Sequence, residues 1–260
     1  MSAFNIKLDG DRSRRLLLVV LMAATMIFTA YHEEYLTVIT LPFWGVLLGG
    51  YILMVWLALH SSTARLLSLI VVIFTIEYVK EALGIRYELW IYHGAPGGFV
   101  FGVWSWVLGG LACYTVATKI AAPLLRKLPL PVAGWINPIV LVLLAGVGLL
   151  LLSKRFQELG LLYWIFYAVL LVFAAERSRI IEVPLFLGLV ITSWITSNMS
   201  EFVGSVLSGI WTFTNHPSYP PAFLLFACWP IEIVAQFSLA YLLVPADSSE
   251  ELNFPRGAYQ

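Results

Sequence analysis

The sequence predicts an all-α fold: a polytopic transmembrane bundle of about eight helices, built as a parallel four-helix internal repeat. Three observations predict it. The chain is 60% hydrophobic and 12% charged, with mean hydropathy +0.88, whereas soluble domains carry about 25% charged residues. Apolar runs recur along the chain at about the 20-residue length that crosses a bilayer as a helix. The pattern Glu77-Tyr78-Val79 followed by an aromatic loop returns as Glu201-Phe202-Val203, and the spacing Glu77 to Tyr87 equals Glu201 to Trp211.

The spans are expected at roughly 15–31, 36–59, 65–82, 99–125, 135–153, 159–176, 184–206 and 221–244. Pro and Gly mark the turns at His93–Gly98, Leu128–Pro131 and His216–Pro221. This gives a cytoplasmic segment 1–14, a first half 15–125, a loop 126–134, a second half 135–245 and a polar tail 246–260. Arg12, Arg14 and Arg15 precede the first apolar stretch as in a signal peptide. Phe28 makes Phe28-Thr29-Ala30 a poor cleavage site, so the stretch is read as an uncleaved helix. With the N-terminus in the cytoplasm, eleven Lys and Arg fall on that side and four on the other. The excess predicts N-in and C-in termini for a multi-pass protein of a bacterial or archaeal plasma membrane.

Zero formal net charge gives no field for nucleic acid. Cys113 and Cys228 lie in apolar runs and offer neither a disulfide framework nor metal-ligand spacing. No H-x-x-x-H, P-loop, GxSxG or dinucleotide fingerprint occurs, and no metal or organic cofactor is expected. Gly45 and Gly49 form a G-x-x-x-G, which reads as close helix packing.

Carboxylates inside apolar runs carry the functional signal, because a charged side chain at the bilayer centre costs roughly 2.5–3.5 kcal/mol on the insertion scale. Ser197, Glu201 and Ser205 share one helical face by their i, i+4, i+8 spacing. Glu232 has Trp229 and Gln236 on its own face and Pro230 two residues before it. Glu77, Lys80 and Glu81 form a third group whose spacing favours a local ion pair. Trp211, Phe213, Trp229, Tyr87, Trp90 and Tyr92 flank these acids. An acid beside aromatic faces suits protonation of an alkene and shielding of the cation. The alternatives are interhelical packing for the acids and an interfacial belt for the aromatics. His93 and His216 hold comparable places in the two halves, as a proton relay would.

The run Trp211-Thr212-Phe213, a proline-containing loop and Trp229-Pro230-Ile231-Glu232 resembles the membrane lycopene cyclases of the heterodimeric bacterial and fused fungal type. The first half, through Glu77, Gly84, Trp90, Tyr92 and Gly102-Val103, is similar to the hydratase group acting on C50 carotenoid precursors. The resemblance implies an enzyme of carotenoid or polyisoprenoid hydration or cyclisation. Glu232 would be the acid, with Glu201 and Glu77 as further catalytic carboxyls. Trp211, Phe213, Trp229, Tyr87, Trp90 and His216 would be substrate-binding residues. The expected partners are a lipophilic small molecule and membrane lipid, with a protein partner left open. A small proton-coupled transporter and a non-catalytic pigment-binding subunit remain as alternatives.

Overall fold

A computed structural model describes residues 10–94, 98–130, 134–152, 160–214 and 228–244. Among them are eight helices: α1 (Gly10–His32), α2 (Leu41–His60), α3 (Thr63–Arg86), α4 (Val100–Leu125), α5 (Ile136–Leu152), α6 (Leu161–Ser178), α7 (Val183–Leu207) and α8 (Trp229–Leu243). The expected spans match these helices in order. Residues 221–227 of the last expected span, His216 and the tail 246–260 lie outside the described residues.

Five helices, α1, α2, α4, α6 and α7, are long and apolar enough to cross a membrane. Their outward faces expose Leu48, Val169, Val172 and Ile195, the surface a bilayer covers. Helix α3 is 24 residues long, but its apolar run is broken by buried Arg65, Glu77, Lys80 and Glu81.

Local chemistry sets several helix ends. Ser62 accepts the Arg65 backbone N–H at the start of α3. Both carboxylate oxygens of Glu33, from the end of α1, accept backbone N–H groups of α4, from Val100 (3.0 Å) and Phe101 (2.9 Å). At the opposite end of the bundle, the Arg65 guanidinium donates to the Ala240 carbonyl of α8 and covers the Tyr241 ring at 3.4 Å.

The two halves pack alike. Helix α2 lies on α4 as α6 lies on α8, and the halves join where α3 meets α8 and α4 meets α7. Helices α3 and α7 both end in short strands, β1 (Trp90–Tyr92) and β2 (Trp211–Phe213), absent from the sequence expectation. The strands pair antiparallel, Trp90 with Phe213, Ile91 with Thr212 and Tyr92 with Trp211. Bonds from His93 N to Ile210 O (2.9 Å) and Thr214 N to Leu89 O (3.2 Å) extend the ladder symmetrically.

The repeat has a definite register. Phe43, Thr63, Glu81 and Gly84 are matched 120 residues later by Tyr163, Val183, Glu201 and Gly204. Phe43 meets Trp211 edge-on at 6.3 Å, and Tyr163 meets Trp90 edge-on at 6.3 Å. Beyond the helices the offset becomes 121, matching Glu88, Trp90 and Tyr92 with Gly209, Trp211 and Phe213. The extra residue is taken up in α7 as a π-helical turn, Phe202–Leu207. This corrects the expected pairing of Glu77 with Glu201 and of Tyr87 with Trp211. The true counterpart of Glu201 is Glu81, one turn along, because the equal spacing of ten ignored the inserted residue.

Candidate functional site

The two repeats build the same device twice. Glu81 Oε2 accepts the Trp90 indole N–H at 2.7 Å, and Glu201 Oε2 accepts that of Trp211 at 2.8 Å. Each indole packs against the glycine three residues after its acid, Gly84 or Gly204, where a Cβ would overlap the ring. The chain returns through a left-handed residue, Glu88 (φ 53°) or Gly209 (φ 61°), and closes with Leu89 N to Gly84 O and Ile210 N to Gly204 O. Tyr92 adds its hydroxyl to Glu81 Oε2 at 3.0 Å. Burial and the adjacent Glu81 raise the Tyr92 phenol well above its ordinary range.

Lys80 stands at the centre, almost fully buried. Its ammonium is paired with Glu77 of its own helix, lies 3.3 Å from Glu232 Oε2 and 4.0 Å from Glu81 Oε1. It also sits 3.8 Å from the Trp229 ring centroid and 4.8 Å from that of Trp106, and these two indoles lie tilted by 33° to one another with centroids 4.6 Å apart. The Tyr167 hydroxyl of α6 donates to Glu232 Oε1, and Gln236 Nε2 donates to Glu77 Oε1 at 2.7 Å. Gln236 therefore serves Glu77, not Glu232 as their shared helical face suggested. Three carboxyl groups, Glu77, Glu81 and Glu232, meet this ammonium, and a fourth, Glu201, lines the same cleft.

Most of the expected site residues converge. Glu201, Trp211, Trp229, Trp90 and Phe213 line a small central cleft with Lys80, Glu81, Tyr92 and Trp106. Glu232 does not line this cleft; it lies beside Lys80 and is held by Tyr167. Tyr87 is not in the cluster. It caps α3, packs on Gly160 and accepts the Leu162 backbone N–H at 3.4 Å. His93 is at the surface, hydrogen-bonded to Thr212 at 2.8 Å, and His216 lies outside the described residues. The sequence reading treated Lys80 and Glu81 as a local pair and did not single out Tyr167. The legible signal for Glu81 was the repeated Glu-x-x-Gly before an aromatic loop; Tyr167 on α6 carried none.

Two further spaces matter. An apolar groove of about 570 Å³ runs between α2, α4 and α7, lined by residues including Phe43, Gly45, Gly49, Gly109, Thr196, Ser200, Trp106 and Trp211. Nothing lies within 4 Å of where a Cβ would stand on Gly45, Gly49 or Gly109. Gly45 and Gly49 thus hollow out the groove instead of packing a helix, correcting the expectation; their counterparts in α6 are Ile165 and Val169. Behind it, a chamber of about 20 Å³ is lined by Glu77, Gly110, Ser193, Ser197, Trp229 and Ile233. It shares Trp106, Gly109, Thr196 and Ser200 with the groove. That volume holds about one water-sized group.

No family model, curated protein or solved structure matches this chain.

Proposed function

We propose that this protein is an integral membrane enzyme that takes a polyisoprenoid of the carotenoid kind from the bilayer and modifies it by acid-initiated hydration or cyclisation. The observation supporting this reading is the shared wall of groove and chamber: Trp106, Gly109, Thr196 and Ser200 line both, and Glu77 lines the chamber. Four buried carboxyl groups against one ammonium also favour the reading. Burying uncompensated carboxylates costs several kcal/mol per ion, so charge balance leaves protons in the cluster.

In this mechanism the proton held between Glu77 and Lys80 passes to the π pair of a substrate double bond, leaving Glu77 and Lys80 together one proton short and a carbocation beside them. Lys80 touches both Glu77 and Glu232 and hands on a proton replaced by Glu232. The Trp106, Trp211 and Trp229 rings shield the cation. Hydration ends when water adds and its surplus proton returns to a carboxylate. Cyclisation ends when a second double bond adds to the cation and a neighbouring C–H gives up its proton to a carboxylate of the cluster, restoring the proton first spent. No electron acceptor is needed.

The protein would lie in a prokaryotic plasma membrane with eight spans and both termini inside. The test is lipid extraction from cells expressing the protein, Glu77→Gln or Glu232→Gln. A modified isoprenoid should appear with the unaltered protein and fall about 10²–10⁴-fold with either variant, the usual effect of losing a general acid. An unchanged isoprenoid profile in all three would favour the transporter or pigment-binding alternative.

A further inference from the structure

The 120-residue repeat maps Glu77, Lys80 and Glu81 of α3 onto Ser197, Ser200 and Glu201 of α7. On α3 the middle residue carries an ammonium into the bundle centre, against two indole faces and among carboxylates. On α7 the middle residue is a serine, too short to reach that far. The space beside it is the chamber between Trp106, Trp229 and Glu77. Its surroundings suit a positive charge. Gln236, 2% exposed, has a side-chain oxygen with no hydrogen-bond partner among the described residues. That oxygen lies 3.6 Å from where a Cβ would stand on Gly110, a residue of the chamber wall. Glu77 lines the chamber and is one of three carboxyl groups that meet Lys80.

We infer that the chamber is a cation seat: it binds the positively charged centre of a lipophilic ligand whose hydrocarbon chain lies in the α2–α4–α7 groove. The inference rests on the substrate reading of that groove, in which the charge is the carbocation formed on protonation. Lys80 is the internal template, showing which faces and carboxyl groups hold a cation in the related position. Neutral hydrocarbon gains only the groove; a cation on the same chain gains the Trp106 and Trp229 rings and the Glu77 carboxyl group that line the chamber as well.

The test uses the protein in nanodiscs and two probes, farnesylamine, whose primary ammonium is about the size of a water, and the neutral hydrocarbon with a methyl group in place of the ammonium. Affinity is read by quenching of tryptophan fluorescence. The protonated amine should bind at least about tenfold more tightly than the hydrocarbon. Ser200→Lys, which delivers an ammonium to the seat, should abolish that preference. Equal binding of the two probes by the unaltered protein overturns the inference, and this comparison decides even if Ser200→Lys fails to fold. A preference that survives in a folded Ser200→Lys protein overturns it too, since the charge is then held elsewhere. Product formation in Glu232→Gln is a separate readout. A retained amine preference with undiminished product in that variant rejects Glu232 as proton source and keeps the seat. An inactive variant with no preference in the unaltered protein does the reverse.

Discussion

Glu81 and Glu201 occupy the same position in two copies of one helical unit, each holding the indole N–H of the tryptophan that opens the following strand. A buried carboxylate needs its lone pairs met, and each copy meets this need with its own Trp. The same indole covers the glycine below, so the acid, the glycine and the ring fix one another.

The two copies differ in reserve. Glu81 also accepts the Tyr92 hydroxyl, whereas Trp211 is the hydrogen-bond donor to Glu201 among the described residues. Trp→Phe removes the N–H and similar volume at either place. Trp211→Phe should therefore destabilise more than Trp90→Phe, with each loss in the range of about 1–3 kcal/mol for an unmet buried group. Thermal unfolding in detergent compares them, and equal losses would deny the difference.

Glu88 holds a left-handed backbone that costs a non-glycine residue roughly 1–2 kcal/mol, where its counterpart Gly209 is relaxed. Glu88 is exposed, so little else is lost on replacing it. Glu88→Gly should be neutral or stabilising by up to about 1 kcal/mol, because glycine's greater unfolded-state entropy offsets part of the gain. Gly209→Ala should destabilise by about 1 kcal/mol. The pair is read by melting temperature.

These local comparisons show how far the sequence could be read. The helices were legible because apolar runs and Pro or Gly breaks are local signals. The duplication was visible, but its register was not. The one-residue insertion in α7 is absorbed by a π-helical turn, and spacing alone cannot tell an insertion from a shift of one helical turn. Tyr167 was illegible for another reason: it meets Glu232 across 65 residues, and nothing in an apolar stretch distinguishes an inward tyrosine. Gly45 and Gly49 fit a packing motif and a groove equally well, since the deciding fact is what stands opposite them.

Lys80 neutralises acids from both halves, Glu77 and Glu232. Lys80→Met keeps an apolar stem of similar length but leaves those carboxylates unpaired. Breaking a buried pair from one side costs on the order of 3–5 kcal/mol, and the variant should be recovered in low yield or with a greatly lowered melting temperature. Adding Glu77→Gln and Glu232→Gln removes the surplus charge and should restore part of the loss. A Lys80→Met protein as stable as the original would show that the ion pairs do not support the fold.

Charge distribution predicts which side each loop faces. Gly94 follows β1, and Leu128 follows the C-terminal end of α4, so the two lie at opposite ends of that helix. Reporter fusions at Gly94 should give an external signal and those at Leu128 a cytoplasmic one. The reverse assignment would invert the topology without altering the bundle.

Glycine substitutions separate groove from fold. On Gly84 and Gly204 a Cβ would overlap the Trp90 and Trp211 rings, and those rings are tied to Glu81 and Glu201, so they cannot swing aside. Gly84→Ala and Gly204→Ala should each destabilise by about 1–3 kcal/mol, as overpacking does. On Gly45 and Gly49 a Cβ meets nothing. Gly45→Leu and Gly49→Leu should keep the melting temperature, and removing a helical glycine adds up to about 1 kcal/mol in their favour. The new side chains would fill the groove that faces Trp106 and Trp211. Binding of the neutral hydrocarbon probe should then fall sharply in a protein as stable as the original. Undiminished binding in Gly49→Leu would move the hydrocarbon out of this groove, and with it the route by which a membrane-soluble substrate approaches Glu77.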